Sequence, residues 1–135
     1  CAGFREASLH LLVRSMKWDR GMKRYFVVEP EQVVADDLAD AIRAVEPGAA
    51  VETFRTTGEV WSALLLARPA AVILSVDPHR FPDTPLGREL VAEGIPHGFL
   101  CACGSDWPEG AVLLASPFSE ATVGTLLRAL AGSGE

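Results

Sequence analysis

The sequence predicts an α/β domain in which five strand-like segments alternate with helices and form one parallel sheet, covered on both faces. Residues 25–28 and 71–74 are short, continuous apolar runs, as strands buried on both faces require. Apolar residues at helical spacing follow most of these runs. Because the connecting loops are short, right-handed crossovers should place helices on both sides of the sheet.

The composition is that of a single soluble globular domain. The chain has 135 residues, of which 49% are hydrophobic and 22% charged. It contains neither a recognisable signal segment nor an apolar run near the ~20 residues of a membrane-spanning helix. We therefore expect a cytoplasmic protein that does not enter membranes.

Cysteine usage favours free thiols in a reducing compartment, because the three cysteines cannot all pair with one another. Cys101 and Cys103 form an H-x₃-C-x-C string with His97. Structural zinc needs four ligands in tetrahedral geometry, and no fourth ligand accompanies this string. The sequence therefore predicts no metal site, and no other motif predicts a cofactor or a catalytic residue.

Charge divides the chain into two parts. Residues 1–24 carry six basic and two acidic side chains, whereas residues 25–135 carry six basic and sixteen acidic ones. An acidic body argues against nucleic-acid binding, which depends on neutralising phosphates with Lys and Arg. We divide the chain into an N-terminal extension, residues 1–21, and a domain, residues 22–135.

The first half of the domain contains two strands and two helices. The first strand covers residues 25–28, and Pro30 suits the first turn of the following helix, which ends before residues 47–48 (PG). Residues 51–54 form the second strand. Thr56 or Thr57 caps the next helix, which ends before Pro69. Four residues are expected on its buried face: Val60, Trp61, Leu64 and Leu65.

The second half contains three strands. The third strand covers residues 71–74, and prolines in the following loop, Pro85 among them, bar regular structure as far as residue 84. A short helix over 87–92 precedes the fourth strand, 95–101, where Gly98 eases packing. The fifth strand covers 112–114, and Ser119 caps the last helix.

Four segments in order resemble the receiver domain of two-component signalling, and the resemblance spans residues 23–131. Residues 27–31 (VVEPE) resemble its first strand and the acidic cluster that follows. Residues 69–77 (PAAVILSVD) resemble the third strand with its phosphoacceptor end. Residues 95–102 (IPHGFLCA) resemble the fourth strand with its hydroxyl-then-small pair, and residues 114–118 (LASPF) the Pro-Phe turn after the fifth.

The resemblance implies a flavodoxin-like, doubly wound five-stranded sheet with strand order 2-1-3-4-5. It also implies a regulatory role in bacterial signal transduction that is not enzymatic, with a histidine kinase or another signalling protein as partner. In receivers, clustered carboxylates hold Mg²⁺ beside an aspartate that accepts a phosphoryl group. A lysine and a hydroxyl residue then respond to that group.

This chain departs from the receiver pattern at most of those positions. Glu29 keeps one acidic residue, whereas Pro30 replaces the second. Ser75 stands in place of the aspartate, Cys101 in place of the hydroxyl residue, and Ser116 in place of the lysine. We therefore expect a degenerate pocket without bound Mg²⁺, in a pseudo-receiver that acts through protein contacts without phosphorylation.

Two other interpretations stay open. Asp77 lies two residues after Ser75 and would face the same way on a longer strand, which would make it an atypical phosphoacceptor. Alternatively, the carboxyl ends of the strands bind a small ligand such as a nucleotide. In that case three surface arginines would contribute to a cyclic-dinucleotide site: Arg55, Arg80 and Arg88.

Two regions are candidate interfaces. The loop at residues 106–110 (DWPEG) predicts a short or absent helix between the fourth and fifth strands, with Trp107 as an exposed contact. In the extension, four apolar residues fall on one face of a helix: Leu9, Leu12, Val13 and Met16. We expect this basic extension to take part in a homodimer, docked on the acidic body of a second copy. The alternative is an extension helix that lies on its own domain.

Overall fold

The computed structural model describes residues 23–102, 111–116 and 118–133, with side chains except at residues 102, 116 and 133. The strands are β1 (Arg24–Val28), β2 (Ala50–Phe54), β3 (Ala71–Leu74), β4 (His97–Ala102) and β5 (Leu113–Ser116). The described α-helices are α1 (Gln32–Val45), α2 (Thr57–Leu64), α3 (Pro85–Ala92) and α4 (Glu120–Ser133). A 3₁₀ turn, Phe81–Asp83, precedes α3.

All five strands form one parallel sheet in the order β2-β1-β3-β4-β5. This order and the doubly wound arrangement confirm the predicted fold class. The strand β1 pairs with both β2 and β3, so its apolar run is covered by backbone on both edges. Since every strand runs the same way, the carboxyl ends of all five meet at one end of the sheet.

The two faces of the sheet carry separate hydrophobic cores, and side chains alternate between them along each strand. On one face, Val27 and Ile73 pack with residues of α1 and α4 such as Ile42 and Leu127. On the other face, Phe26 packs with residues of α2, α3 and the 3₁₀ turn. The core therefore lies on both sides of the sheet, as the continuous apolar strands indicated.

The start of α1 differs from the prediction for Pro30. The helix begins at Gln32 with Glu31 as its N-cap, so Pro30 lies before the first turn instead of within it. The cause is a hydrogen bond that the Glu31 N–H donates to the Glu29 carboxylate, which forms a separate turn between β1 and α1. The predicted end of the helix is confirmed, because α1 stops at Val45.

The predicted apolar face of α2 is wrong in part. Thr56 caps the helix as expected, since its hydroxyl accepts from the Glu59 N–H at 3.3 Å. Within the helix only Val60 is buried, whereas Trp61 is 36% and Leu65 84% exposed. The helix ends after eight residues, before Leu65, so it is too short to bury four large side chains against the sheet.

Pro85 begins a helix, contrary to the expectation that it bars one. It occupies the first turn of α3, where the missing N–H costs nothing. Thr84 caps this helix by accepting from the Gly87 N–H at 3.1 Å. Ser119 caps α4 as predicted, because its hydroxyl accepts from the Thr122 N–H at 3.2 Å.

Several sequence predictions fall outside the described residues. These are the helical stripe of the extension, the short or absent helix between β4 and β5, and the interface role of Trp107. Within the described ranges, no helix combines the length and apolar character needed to cross a membrane.

Tyr25 carries a polar contact at the amino end of the sheet. Its hydroxyl donates to Glu46 Oε2 at 2.8 Å, and Lys23 Nζ lies 3.7 Å from Glu46 Oε1. Burial, followed by the hydrogen bond and charge of Glu46, raises the pKa of Tyr25 above its ordinary value. The folded protein therefore holds this proton more tightly than the unfolded chain does.

Tyr25→Phe is expected to lower the free energy of unfolding by about 1 kcal/mol at neutral pH, because the Glu46 carboxylate loses its donor. The contribution of a raised pKa is fully present below the unfolded tyrosine pKa of about 10 and is lost as the pH rises further. Urea titrations should show that the unfolding free energies of the wild type and of Tyr25→Phe converge above about pH 10. A stability difference that is constant from neutral to alkaline pH would contradict this assignment.

Candidate pocket at the carboxyl end of the sheet

The predicted pocket residues gather at the carboxyl end of the sheet. The Ser75 N–H donates to the Val28 carbonyl and the Glu29 N–H to the Phe54 carbonyl, each at 2.9 Å. Glu29 and Ser75 thus extend the strand ladder one residue beyond β1 and β3 and lie on neighbouring strands. At the far side of the sheet, the final residues of β4 and β5 are paired in the same way.

Glu29 is the one buried charged residue in the described part of the chain, with 6% of its surface exposed. Its Oε2 atom accepts the Glu31 N–H at 2.8 Å. A buried carboxylate without hydrogen bonds would cost several kcal/mol, so this contact stabilises it. One oxygen of the carboxylate is therefore engaged in the turn that leads into α1. Pro30, between the two glutamates, is exposed and supplies neither a carboxylate nor an N–H.

Asp77 lies in the loop after β3, because the strand ends at Leu74 as the sequence predicted. Its Oδ1 accepts the His79 N–H at 2.9 Å, and its Oδ2 lies 3.8 Å from Arg80 Nε. Its main-chain carbonyl also accepts from the N–H groups of Arg80 and Phe81. Asp77 thus begins the turn that leads into the 3₁₀ segment, and its side chain is half exposed.

Cys101 is partly buried and packs against the core on the α2 and α3 face. Desolvation by burial raises the pKa of the Cys101 thiol, and the negative charge of Asp77 raises it further. The structure therefore brings Asp77 within electrostatic reach of Cys101. A raised pKa keeps the sulfur protonated, which makes it a poor nucleophile and a poor metal ligand.

The remaining pocket positions are described incompletely. Ser75 is partly buried, and Ser116 ends β5 opposite Ala102, although its side chain lies outside the description. Within residues 23–102, 111–116 and 118–133, no three His, Cys, Asp or Glu side chains come together as a group that could hold a metal ion. The described part of this predicted site combines one buried carboxylate, one loop carboxylate, a serine and a thiol whose pKa is raised.

Sequence reasoning missed two features near the sheet. The sequence suggests Arg80 as a ligand-binding residue, whereas its guanidinium lies beside Asp77 in the same turn. The helical pattern does not predict the exposure of Leu66, although it and Leu65 are among the most exposed large hydrophobic residues described. The signal for the second feature is the unbroken run of leucines at residues 64–66, which is wider than one face of a short helix.

Comparison with known proteins identifies structures of the same fold. No protein-family model matches this sequence, and no curated protein matches it significantly. SdrG from Sphingomonas melonis Fr1 aligns with a TM-score of 0.65 at 24% identity, over 82% of this chain and 97% of its own. The chemotaxis response regulator CheY4 of Vibrio cholerae aligns with a TM-score of 0.63 at 18% identity, over 81% and 98% of the two chains.

A third structure is longer than this chain. The anti-anti-sigma factor PhyR from Bartonella quintana aligns with a TM-score of 0.63 at 18% identity, over 93% of this chain and 54% of its own. At such identities the likeness establishes the fold. The fold is that of response-regulator receiver domains, as the four resembling segments predicted.

Proposed function

We propose that this chain is a cytoplasmic regulatory module of bacterial signal transduction that acts through protein contacts without aspartyl phosphorylation. The observation that carries the proposal is the residue after β3. Ser75 occupies the position where the resembling receivers keep their phosphoacceptor, and a hydroxyl cannot form the acyl phosphate that a carboxylate forms. This role is regulatory and not enzymatic.

The geometry around Ser75 supports this proposal. Mg²⁺ prefers several oxygen ligands in nearly octahedral array. Pro30 supplies no side-chain oxygen, and one oxygen of Glu29 already accepts the Glu31 N–H. Asp77 is engaged in its own turn with His79 and Arg80. We therefore propose that the pocket holds no Mg²⁺ under conditions in which receivers do.

A protein partner is the ligand class that the fold favours. The solved structures of similar fold include response regulators and an anti-anti-sigma factor, and the name of the latter describes action on another regulatory protein. We propose a histidine kinase or another signalling protein as the partner. The acidic body of the domain, with sixteen acidic residues against six basic ones in residues 25–135, favours a basic contact surface on that partner.

Phosphorylation is the direct test. We expect no mass increase of one phosphoryl group when the protein is incubated with acetyl phosphate and Mg²⁺ and measured intact, since Ser75 cannot act as the acceptor. An ordinary receiver treated in parallel shows that the reagent is active. Incorporation into the wild type that is lost in Asp77→Asn would overturn the proposal and establish an atypical receiver.

A thermal-shift measurement distinguishes a small-ligand sensor from a protein-binding module. A ligand present at 100 times its dissociation constant adds about 2.7 kcal/mol to the free energy of unfolding. A thermal-shift screen of nucleotides and cyclic dinucleotides should leave the melting temperature unchanged. A shift that disappears in Arg88→Ala but persists in Asp77→Asn would favour a ligand sensor over a protein-binding module.

A further inference from the structure

Three large apolar side chains at the end of α2 form an exposed patch. Trp61 is 36%, Leu65 84% and Leu66 88% exposed. Trp61 and Leu65 are four residues apart and therefore lie on the same side of the helix. Single exposed hydrophobic residues are common, but adjacent ones of this size form a candidate contact surface. We call these three residues the α2 patch.

Hydrogen bonds hold the backbone that carries the α2 patch. After α2 ends, the N–H groups of Leu66 and Ala67 both donate to the Ala63 carbonyl at 3.0 Å, so the leucines sit on a closed turn. Two residues further on, Arg68 Nη2 donates to the Glu93 carbonyl at 2.6 Å, and its Nη1 lies 3.7 Å from Glu93 Oε1. This bridge joins the end of α2 to the end of α3.

The N-terminal extension enters the domain beside the α2 patch. The Ala70 N–H donates to the Arg24 carbonyl at 2.6 Å, and the Ala50 N–H donates to the Lys23 carbonyl at 2.8 Å. Residue 23 therefore lies at the amino end of the sheet, next to the loop that leads from α2 into β3. Leu66 precedes Ala70 by only four residues in that loop.

The length and character of the extension suit the patch. Residues 17–22 can span up to about 20 Å when extended, which reaches across one end of a small domain. Immediately before them, residues 9–16 carry the apolar stripe of Leu9, Leu12, Val13 and Met16. As a helix, this stripe would cover about 10 Å, and the segment from Trp61 to Leu66 covers a similar length of about 8 Å.

We propose that residues 9–16 dock as an amphipathic helix on the α2 patch of the same protomer. A helix of this length is marginal alone in water, so it needs an apolar surface to rest on. The entry point of the chain beside the patch makes this contact intramolecular, which raises its effective concentration over that of any second copy. The basic residues of the extension then face solvent or the acidic body.

Tryptic cleavage of the full-length protein tests this contact. We expect Leu65→Ser/Leu66→Ser to raise the cleavage rate after Lys17 and Arg20 about tenfold, because the extension loses its docking surface and spends more time open. Val33→Ser, which changes an exposed apolar residue on α1, should leave the rate unchanged. Equal rates in the wild type and the patch variant would overturn the proposal.

A second set of variants separates the possible occupants. Leu12→Ser/Met16→Ser should raise the rate of cleavage after Arg20 to the same extent, and combining it with the patch substitutions should add nothing further. Light scattering should show a monomer in each case. A wild-type dimer that dissociates when the patch is changed would overturn the intramolecular contact and assign the patch to a second copy, as the homodimer expected from sequence requires. Far-UV circular dichroism checks that the variants are folded.

Discussion

Phe26→Ala is expected to lower the free energy of unfolding by about 3–5 kcal/mol. Phe26 has no exposed surface and lies in the middle of β1, which is paired on both edges. Its ring meets that of Phe54 edge to face, with centroids 5.1 Å apart. Since neighbouring backbone cannot collapse into the space, the substitution leaves a cavity and removes the ring contact.

The loss is large relative to the total stability of a small domain, which is about 5–15 kcal/mol. Urea unfolding followed by circular dichroism should show a much lower midpoint with an unchanged slope. Val33→Ala is the matched control, because Val33 is 73% exposed on α1 and its truncation should change stability by less than about 0.5 kcal/mol. A Phe26 variant as stable as this control would contradict the placement of the core.

Gly87→Ala is expected to destabilise the domain by about 1–3 kcal/mol. A Cβ atom at this position would lie 2.1 Å from the Phe81 carbonyl oxygen and 3.1 Å from the Pro82 Cα. These are backbone atoms and cannot rotate away, so α3 and the 3₁₀ turn would have to separate. Phe81 is buried and contacts the Phe99 ring at 5.6 Å between centroids, so the movement would disturb the core.

Gly58→Ala provides the control for this prediction. Both glycines lie in the first turn of a helix capped by a threonine, Thr56 or Thr84. At Gly58, however, the nearest atom to a new Cβ is the Thr56 Oγ1 at 3.8 Å. Alanine should therefore stabilise α2 by about 0.5–1 kcal/mol through its higher helix propensity. If both substitutions changed stability in the same direction, the close approach of α3 to the 3₁₀ turn would be wrong.

The proposed pseudo-receiver function and the proposed docking of the extension depend on different parts of the domain. The first is proposed from the residues at the carboxyl end of the sheet, where the chain has Ser75 and Pro30. The second depends on the α2 patch near the amino end, beside the entry of the chain at Lys23. A substitution at one end of the domain should therefore leave the proposed function of the other end unchanged.

Much of the fold could be predicted from local pattern. The strands β1 and β3 were predictable because continuous apolar runs are required where a strand is covered on both faces. The caps at Thr56 and Ser119 were predictable because a hydroxyl before a helical pattern satisfies free N–H groups. Each of these signals depends only on residues close together in the chain.

Three details could not be predicted from apolar pattern and proline positions alone. Trp61 and Leu65 fit a helical apolar pattern, yet they are exposed because Val60, with Ala63 and Leu64 beside it, takes the side of α2 that packs on the sheet. Pro85 starts a helix because the 3₁₀ turn ends at Thr84, and Thr84 caps the helix that begins with Pro85. Pro30 lies outside α1 because the carboxylate of Glu29 holds the turn before it.

The sequence by itself determined the class of the fold and the chemical identity of the pocket residues, since these depend on residue type and order. Only the tertiary structure decided which pocket groups are engaged, because hydrogen bonds and burial depend on position in space. It buried Glu29 against the Glu31 N–H and gave Asp77 a role in a turn with Arg80. It also placed the exposed leucines of the α2 patch beside the point where the extension enters the sheet.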